Sequence, residues 1–237
     1  MIEERFSRTA MLIGEEALGA LQHSRVLLFG LGGVGGYACE ALARAGVGEL
    51  HLVDFDTVSI SNINRQILAD ETTVGRPKAA VAAERVARIS PATRVQVVDR
   101  FVDEANVEAI ILAADPQYII DAIDTVDSKL AILRVAQAHG IPVISCMGTG
   151  NKLYPEKLQI SDISKTHTCP LARAVRARLR REGINHAEVL WSCEPPRKPC
   201  TPVEEGGRVI PASISFVPAA AGLMLAGHVM RKRAELE

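Results

Sequence analysis

The stretch Arg25-Val-Leu-Leu-Phe29-Gly30-Leu-Gly32-Gly33-Val-Gly35 decides how this chain is to be read. An apolar run ending at Phe29 and followed at once by a glycine cluster reads as a strand buried on both faces. Val34 to Ala45 is rich in alanine, a strong helix former, and Gly46-Val-Gly48 stops it. Glu49-Leu-His-Leu-Val53 predicts a second strand, with Asp54 at its end. Strand, glycine turn, helix and strand within roughly 30 residues make a βαβ unit.

The alternation continues outward in both directions. Phe6 to Leu21 places Met11, Leu12, Ala17, Leu18 and Leu21 on one face of a helix. Pro77 marks a helix start, and Lys78 to Ile89 predicts that helix. Arg94 to Val98, Tyr118 to Asp121 and Ile141 to Cys146 read as strands, separated by helices over Glu104 to Ala113 and Ser128 to His139. Strands alternating with helices imply an α/β fold: a Rossmann-like, doubly wound, mostly parallel sheet covered on both faces.

After Gly150 the texture changes and the C-terminal half is modified. Lys157 to Asp162 reads as a strand, Leu171 to Arg181 as an arginine-rich helix and Pro195 to Gly207 as a loop. Ile214 to Met230 is nearly all apolar but short for a membrane span and interrupted by Ser215, Pro218 and His228. It predicts a helix buried in the core, with no stable membrane span. No repeat or linker divides the chain, so residues 1–237 are expected to form a single domain, with a core of 24–150 and a C-terminal part of 151–237.

Composition agrees. The chain has 27 Lys plus Arg against 28 Asp plus Glu, a formal net charge of -1, with 48% hydrophobic and 23% charged residues. That balance excludes a strongly basic nucleic-acid coat and an acidic disordered chain, and it suits a soluble globular protein. Cys39, Cys146, Cys169, Cys193 and Cys200 are odd in number and none stands at C-x-x-C spacing. Met1 is followed by Glu3, Glu4 and Arg5 rather than a leader. Reduced thiols and a cytoplasmic location are the expectation.

Gly30, Gly32, Gly33 and Gly35 match G-x-G-x-x-G between a strand and a helix. Glycines let the backbone approach a phosphate, and the helix N-terminus supplies unpaired N–H donors. Asp54 stands 24 residues after Gly30, where a carboxylate accepts hydrogen bonds from ribose hydroxyls. The motif by itself does not choose between a dinucleotide and ATP. Asp54-Phe-Asp56-Thr-Val-Ser-Ile-Ser-Asn62-Ile-Asn64-Arg65-Gln66 and Gly75-Arg-Pro-Lys78 do choose. A guanidinium and an ammonium beyond the ribose-binding strand suit a triphosphate, whose developing charge they neutralise. They argue against a nicotinamide oxidoreductase.

Asp121-Ala-Ile-Asp124-Thr-Val-Asp127 falls at the carboxyl ends of the strands, where α/β sheets bind ligands. A carboxylate there suits Mg2+ carrying triphosphate, and Asp124 or Asp127 can also cap a helix.

In this order, these motifs resemble the adenylating domain of the ubiquitin-activating-enzyme (ThiF/MoeB-type) superfamily over about Arg5 to Gly150. The resemblance implies that Gly33, Asp54, Asn62, Arg65, Lys78 and Asp124 hold ATP and Mg2+, with Asp124 on the metal side. Arg8, in Arg5-Phe-Ser-Arg8, resembles an arginine that family members lend to the partner subunit's active site, which implies a homodimer.

The sulfur-carrier activators of this superfamily typically carry two C-x-x-C pairs for structural zinc, and this chain has none. Asp162-Ile-Ser-Lys165-Thr-His-Thr-Cys169-Pro170-Leu171 and Val209-Ile-Pro-Ala-Ser-Ile-Ser-Phe-Val-Pro218 instead resemble the tRNA threonylcarbamoyladenosine dehydratases. Some relatives have Asp where Cys169 stands here, and some have a cysteine near Ser213. The resemblance implies ATP-dependent cyclisation of the threonylcarbamoyl group through an acyl-adenylate, with 151–237 as the substrate-facing part. Independently, Arg173, Arg176, Arg178, Arg180 and Arg181 crowd one predicted helix. Spacing puts Arg173, Arg176, Arg180 and Arg181 along one face, a stripe that suits RNA phosphates. Cys169 or Cys193 can take sulfur from a relay partner such as a cysteine desulfurase, or simply pack as a small residue. The alternative chemistry within the superfamily is adenylation of the C-terminal glycine of a ubiquitin-like sulfur-carrier protein.

Overall fold

A computed structural model describes residues 2–205 and 208–236. Two short helices, α1 (Ser7–Ile13) and α2 (Glu15–Gln22), precede β1 (Arg25–Phe29), α3 (Gly35–Ala45) and β2 (Glu49–Val53). Then come α4 (Lys78–Ile89), β3 (Arg94–Val98), α5 (Val107–Ala114), β4 (Tyr118–Asp121), α6 (Val126–Ala138) and β5 (Val143–Cys146). The remainder holds β6 (Leu158–Asp162), α7 (Pro170–Arg181), β7 (Glu188–Ser192), a small hairpin of β8 (Glu204–Glu205) and β9 (Arg208–Val209), and α8 (Phe216–Arg233). Gly206 and Gly207, at the end of the predicted loop, lie outside the described residues.

Seven strands form one sheet in the order β3-β2-β1-β4-β5-β7-β6, and β6 alone runs antiparallel to its neighbour. Alternate residues of each inner strand face opposite layers. Val26 and Leu28 pack with buried residues of α3, α4 and α8. Leu27 and Phe29 pack with α5 and α6 on the other face, and α7 closes that layer against Trp191, Met147 and Leu133. The doubly wound, mostly parallel α/β expectation therefore holds. Strand order reverses between β1 and β4, so their carboxyl ends open the crevice such sheets use for ligands.

Three local readings are corrected. The predicted N-terminal helix is broken at Gly14, whose φ of 87° ends α1. Met11 and Leu12, assigned to its apolar face, are each 85% exposed, whereas Ala17, Leu18 and Leu21 are buried. The helix after β3 starts at Val107 rather than Glu104, behind a turn in which Asp103 accepts the Ala105 and Asn106 N–H groups. Strand β7 went unforeseen. It slots between β5 and β6 and joins the C-terminal half to the main sheet. The apolar C-terminal segment is the buried helix expected: α8 lies so close to α3 that a Cβ on Gly222 would stand 2.2 Å from the Val34 carbonyl oxygen. Among the described residues no helix is long and apolar enough to cross a membrane.

Candidate functional site

The glycine loop leaves β1 at the point where strand order reverses. Gly30 adopts φ 84°, and a Cβ there would meet the Ala122 carbonyl at 2.9 Å. A Cβ on Gly35 would sit 1.8 Å from the Gly30 oxygen, so α3 can begin under the loop only without a side chain. Gly32 and Gly33 face the crevice more openly, beside Gln66, Arg65 and Pro218. The result is a helix N-terminus with bare backbone in front of it, an anion-binding geometry.

Asp54 lies at the carboxyl end of β2 and locks onto this loop. Its Oδ2 accepts the Leu31 N–H at 2.6 Å and its Oδ1 the Asp56 N–H at 2.8 Å. Burial pushes its carboxyl above the usual aspartate range, against the lowering pull of those two N–H groups and of Lys78. Lys78 opens α4 directly after Pro77 and is itself buried, its Nζ 2.7 Å from Asp56 Oδ2. A lysine foreseen as the charge clamp is thus held inside the crevice rather than on the surface.

The loop after β2 supplies the rest. Asn62 is buried, and its Oδ1 accepts the Ser59 N–H at 3.1 Å in a reciprocal cap. That carbonyl shapes the loop. Arg65 is held by the Ser61 carbonyl at 2.9 Å and by Asn64 Oδ1 at 2.8 Å. Gln66 was not singled out from sequence. It is 7% exposed, its amide nitrogen lies 3.9 Å from a Cβ position on Gly32, and its buried Oε1 has no hydrogen-bond partner among the described residues. An orphaned polar atom beside a glycine loop fits a ligand with polar groups.

Across the crevice, Asp121 ends β4 in full burial. Its Oδ2 meets Lys129 Nζ at 2.9 Å and Ser145 Oγ at 2.5 Å, and its Oδ1 accepts the Ile123 N–H at 3.1 Å. This shapes the turn that presses Ala122 onto Gly30 and leaves Asp124 exposed at its tip. Asp127 is tied by an ion pair to Arg178 of α7. Phe55 and Phe101, half exposed after β2 and β3, stack edge to face at 5.1 Å on the same rim. Neither was anticipated, because two aromatics separated by a helix carry no local signal.

Two of the groupings expected from the sequence are not brought together. Phe6 packs against Gly46 and Arg5 donates to the Ile89 carbonyl, both at helix ends remote from the glycine loop. Exposed Arg8 sits on that side. The 11 residues of α3, about 16 Å of helix, separate the two regions. Of the basic stripe, Arg173, Arg180 and Arg181 are exposed, but Arg176 is turned inward and donates to the Thr166 carbonyl at 2.7 Å. The correction has a plain cause: the chain preceding α7 needs its carbonyls capped where it bends at Thr168, φ 63°.

Cys169 is 2% exposed beneath the start of α7, and Cys193 is half buried. Burial pushes the Cys39 and Cys146 thiols up to about 12, so both are packing residues. No cluster of three metal-ligating side chains occurs among the described residues.

A ThiF family model matches residues 6–234. The chain belongs to the ThiF family. Among ThiF relatives it is 42% identical over 237 residues to the tRNA threonylcarbamoyladenosine dehydratase of Bacillus subtilis (strain 168), covering 95% of this chain and 93% of that protein. It is also 42% identical over 179 residues to the enzyme of the same name from Escherichia coli (strain K12), covering 76% and 66%. The structure of E. coli tRNA N6-threonylcarbamoyladenosine dehydratase, TcdA, in complex with ATP superposes with a TM-score of 0.90 at 35% identity, covering 100% of this chain and 98% of that one.

Proposed function

We propose that this protein is an ATP-dependent tRNA threonylcarbamoyladenosine dehydratase, acting as one domain. The observation that carries the reading is that the likeness to dehydratases runs through both halves of the chain and converges on an anion-binding crevice. A superfamily member that adenylates sulfur carriers would share the crevice alone.

In this reading ATP lies along the glycine loop, with Asp54 accepting from its ribose and Arg65 and Lys78 facing its phosphates. The buried, unpartnered Oε1 of Gln66 and the exposed carboxylate of Asp124 fit a magnesium-bound triphosphate, since Mg2+ favours one or two carboxylates plus phosphate oxygens. The ion, when bound, neutralises phosphate charge. The substrate carboxylate attacks the α-phosphate, pyrophosphate leaves, and Arg65 and Lys78 stabilise the charge that develops. The threonylcarbamoyl group then closes on its own activated carbonyl and expels AMP. That step is intramolecular and needs no protein nucleophile.

Arg173, Arg180 and Arg181 would meet tRNA phosphates, and Arg178 would link that helix to the Asp124 turn through Asp127. Arg8 would act in trans in a cytoplasmic homodimer, with the exposed Met11 and Leu12 beside it. Cys193, the more accessible of the two thiols in the C-terminal part considered above, is where sulfur from a relay partner would be received.

Purified protein, ATP, magnesium and tRNA bearing threonylcarbamoyladenosine are expected to yield a nucleoside lighter by one water, read by mass spectrometry after digestion. An unchanged nucleoside from folded protein sinks the assignment. Two further outcomes follow. Ribose hydroxyls donate to the ionised Asp54 carboxylate, whose free-state pKa is raised by burial. Affinity for ATP is therefore full above that raised pKa and falls by about tenfold per pH unit below it. Asp54→Asn should flatten this profile in a fluorescence titration. Replacing Arg173, Arg180 and Arg181 together by alanine should reduce the slope of log affinity for tRNA against log salt by about 2 to 3. An unaltered slope would remove α7 from the RNA interface.

A further inference from the structure

The segment 211–215 runs between the last hairpin and α8, with Pro211 against Gly150 in the loop after β5, and it is held by asparagines on both sides. Asn151, in the loop after β5, takes the left-handed conformation, φ 60°. Its N–H donates to the Ala212 carbonyl at 2.7 Å, and its Oδ1 accepts the Ala212 N–H at 2.8 Å. Its own carbonyl accepts the Arg197 N–H at 2.8 Å. One residue thus ties its own loop to two other stretches of chain. Beneath it the loop is anchored: Lys152 Nζ donates to the Glu194 carbonyl at 2.6 Å, and the Glu194 carboxylate accepts the Leu153 and Tyr154 N–H groups.

On the other side Asn64 Nδ2 donates to the Ser213 carbonyl at 3.2 Å. The same amide's Oδ1 accepts from Arg65. A cationic donor on an amide oxygen polarises the amide and strengthens what its nitrogen donates. The guanidinium, Asn64 and the 211–215 strap therefore form one chain of hydrogen bonds, and the Arg65 backbone oxygen at its start lies 3.4 Å from a Cβ position on Gly33 of the glycine loop.

We propose that Asn64 and Asn151 are positioning residues that seat the strap over the acceptor side of the site, and that triphosphate binding loosens it. Phosphates that draw Arg65 away from Asn64 remove the charged donor, and the long Asn64–Ser213 bond weakens. The strap opens while ATP is bound. Once pyrophosphate has left, Arg65 returns to Asn64 and the strap closes over the adenylate, excluding water. The proposal rests on the dehydratase reading for the identity of the ligand, whereas the linkage Arg65–Asn64–strap stands on the geometry.

Amide exchange at Ala212, whose N–H donates to Asn151 Oδ1 while the strap is seated, tests it, with ATP binding followed separately by calorimetry. In the native protein ATP with magnesium should speed exchange there about threefold or more relative to AMP, the effect of one net hydrogen bond. Asn64→Asp keeps an acceptor for Arg65 but loses the donor to Ser213, so exchange should be fast whatever nucleotide is present. Asn151→Gly tolerates the positive φ but lacks Oδ1, and it should expose the Ala212 amide likewise, which keeps the test decisive if the first variant folds poorly. With tRNA present, Asn64→Asp should raise AMP released per cyclised nucleoside about threefold or more, as unshielded adenylate meets water. A merely structural asparagine would lower both products together. Bound ATP with unchanged strap exchange, or an Asn64→Asp protein that still responds to ATP, overturns the proposal. No ATP binding at all overturns the dehydratase reading, and the proposal with it.

Discussion

ATP-dependent loss of water from the modified nucleoside is expected to fall by about 10²–10³-fold when Lys78 is replaced by alanine. The reason is positional. Pro77 ends the preceding loop with a fixed φ and α4 starts at once, so the lysine side chain is buried down to its ammonium. There it meets Asp56 at 2.7 Å and lies close enough to Asp54 to pull on its titration. A positive charge fixed in a partly dry site acts on phosphate charge without waiting for water to reorganise. Stability should fall by only about 1–3 kcal/mol, from the lost burial of the lysine stem, because the Asp56 side chain left behind is 48% exposed and remains solvated. Activity and melting temperature measured on the same preparation separate the two effects. A Lys78→Ala protein retaining about a tenth of the native rate or more would contradict the assignment. Arg65→Ala should behave similarly.

The largest expected stability effect lies below the crevice floor. Lys129→Met should destabilise the protein by about 3–5 kcal/mol in denaturant unfolding. Lys129 and Asp121 are both fully buried, and removing the ammonium strands a carboxylate that then has only the Ser145 hydroxyl and the Ile123 N–H. The double variant Asp121→Asn, Lys129→Met should recover most of the loss, because the uncompensated charge is gone. It should not recover activity fully, since the Ile123 N–H bond shapes the turn presented to Asp124. If the single change costs less than about 1 kcal/mol, the pair is not what holds this turn.

How legible the fold was depends on where each element's partners lie. β1, β2 and β4 are buried on both faces by helices, so their apolar runs announce themselves. α4 begins at Lys78 as expected, because a proline before a helix is a local, steric signal. β7 failed the same test. Its Val-Leu-Trp centre is short, and its first residue, Glu188, is a half-exposed carboxylate to which Tyr118 and His228 donate from β4 and α8, at 2.9 and 2.8 Å. The split of the N-terminal helix at Gly14 and the exposure of Met11 and Leu12 were likewise invisible to periodicity, which measures a pattern and not what covers it.

For the candidate site, the sequence by itself located the glycine loop, Asp54 and Lys78, because each sits at a strand end or helix start that the alternating pattern marks, whereas Arg65, in the middle of the loop after β2, was singled out by its motif. Backbone geometry dictates where such ends meet. Tertiary structure alone decided that Arg176 faces inward, that Gln66 Oε1 has no partner among the described residues, and that Asn64 and Asn151 grip one strap. Amides and guanidiniums are satisfied by whatever polar groups the fold brings to them, 10 residues away for Arg176, 61 for Asn151 and 149 for Asn64. No spacing rule along the chain records that choice.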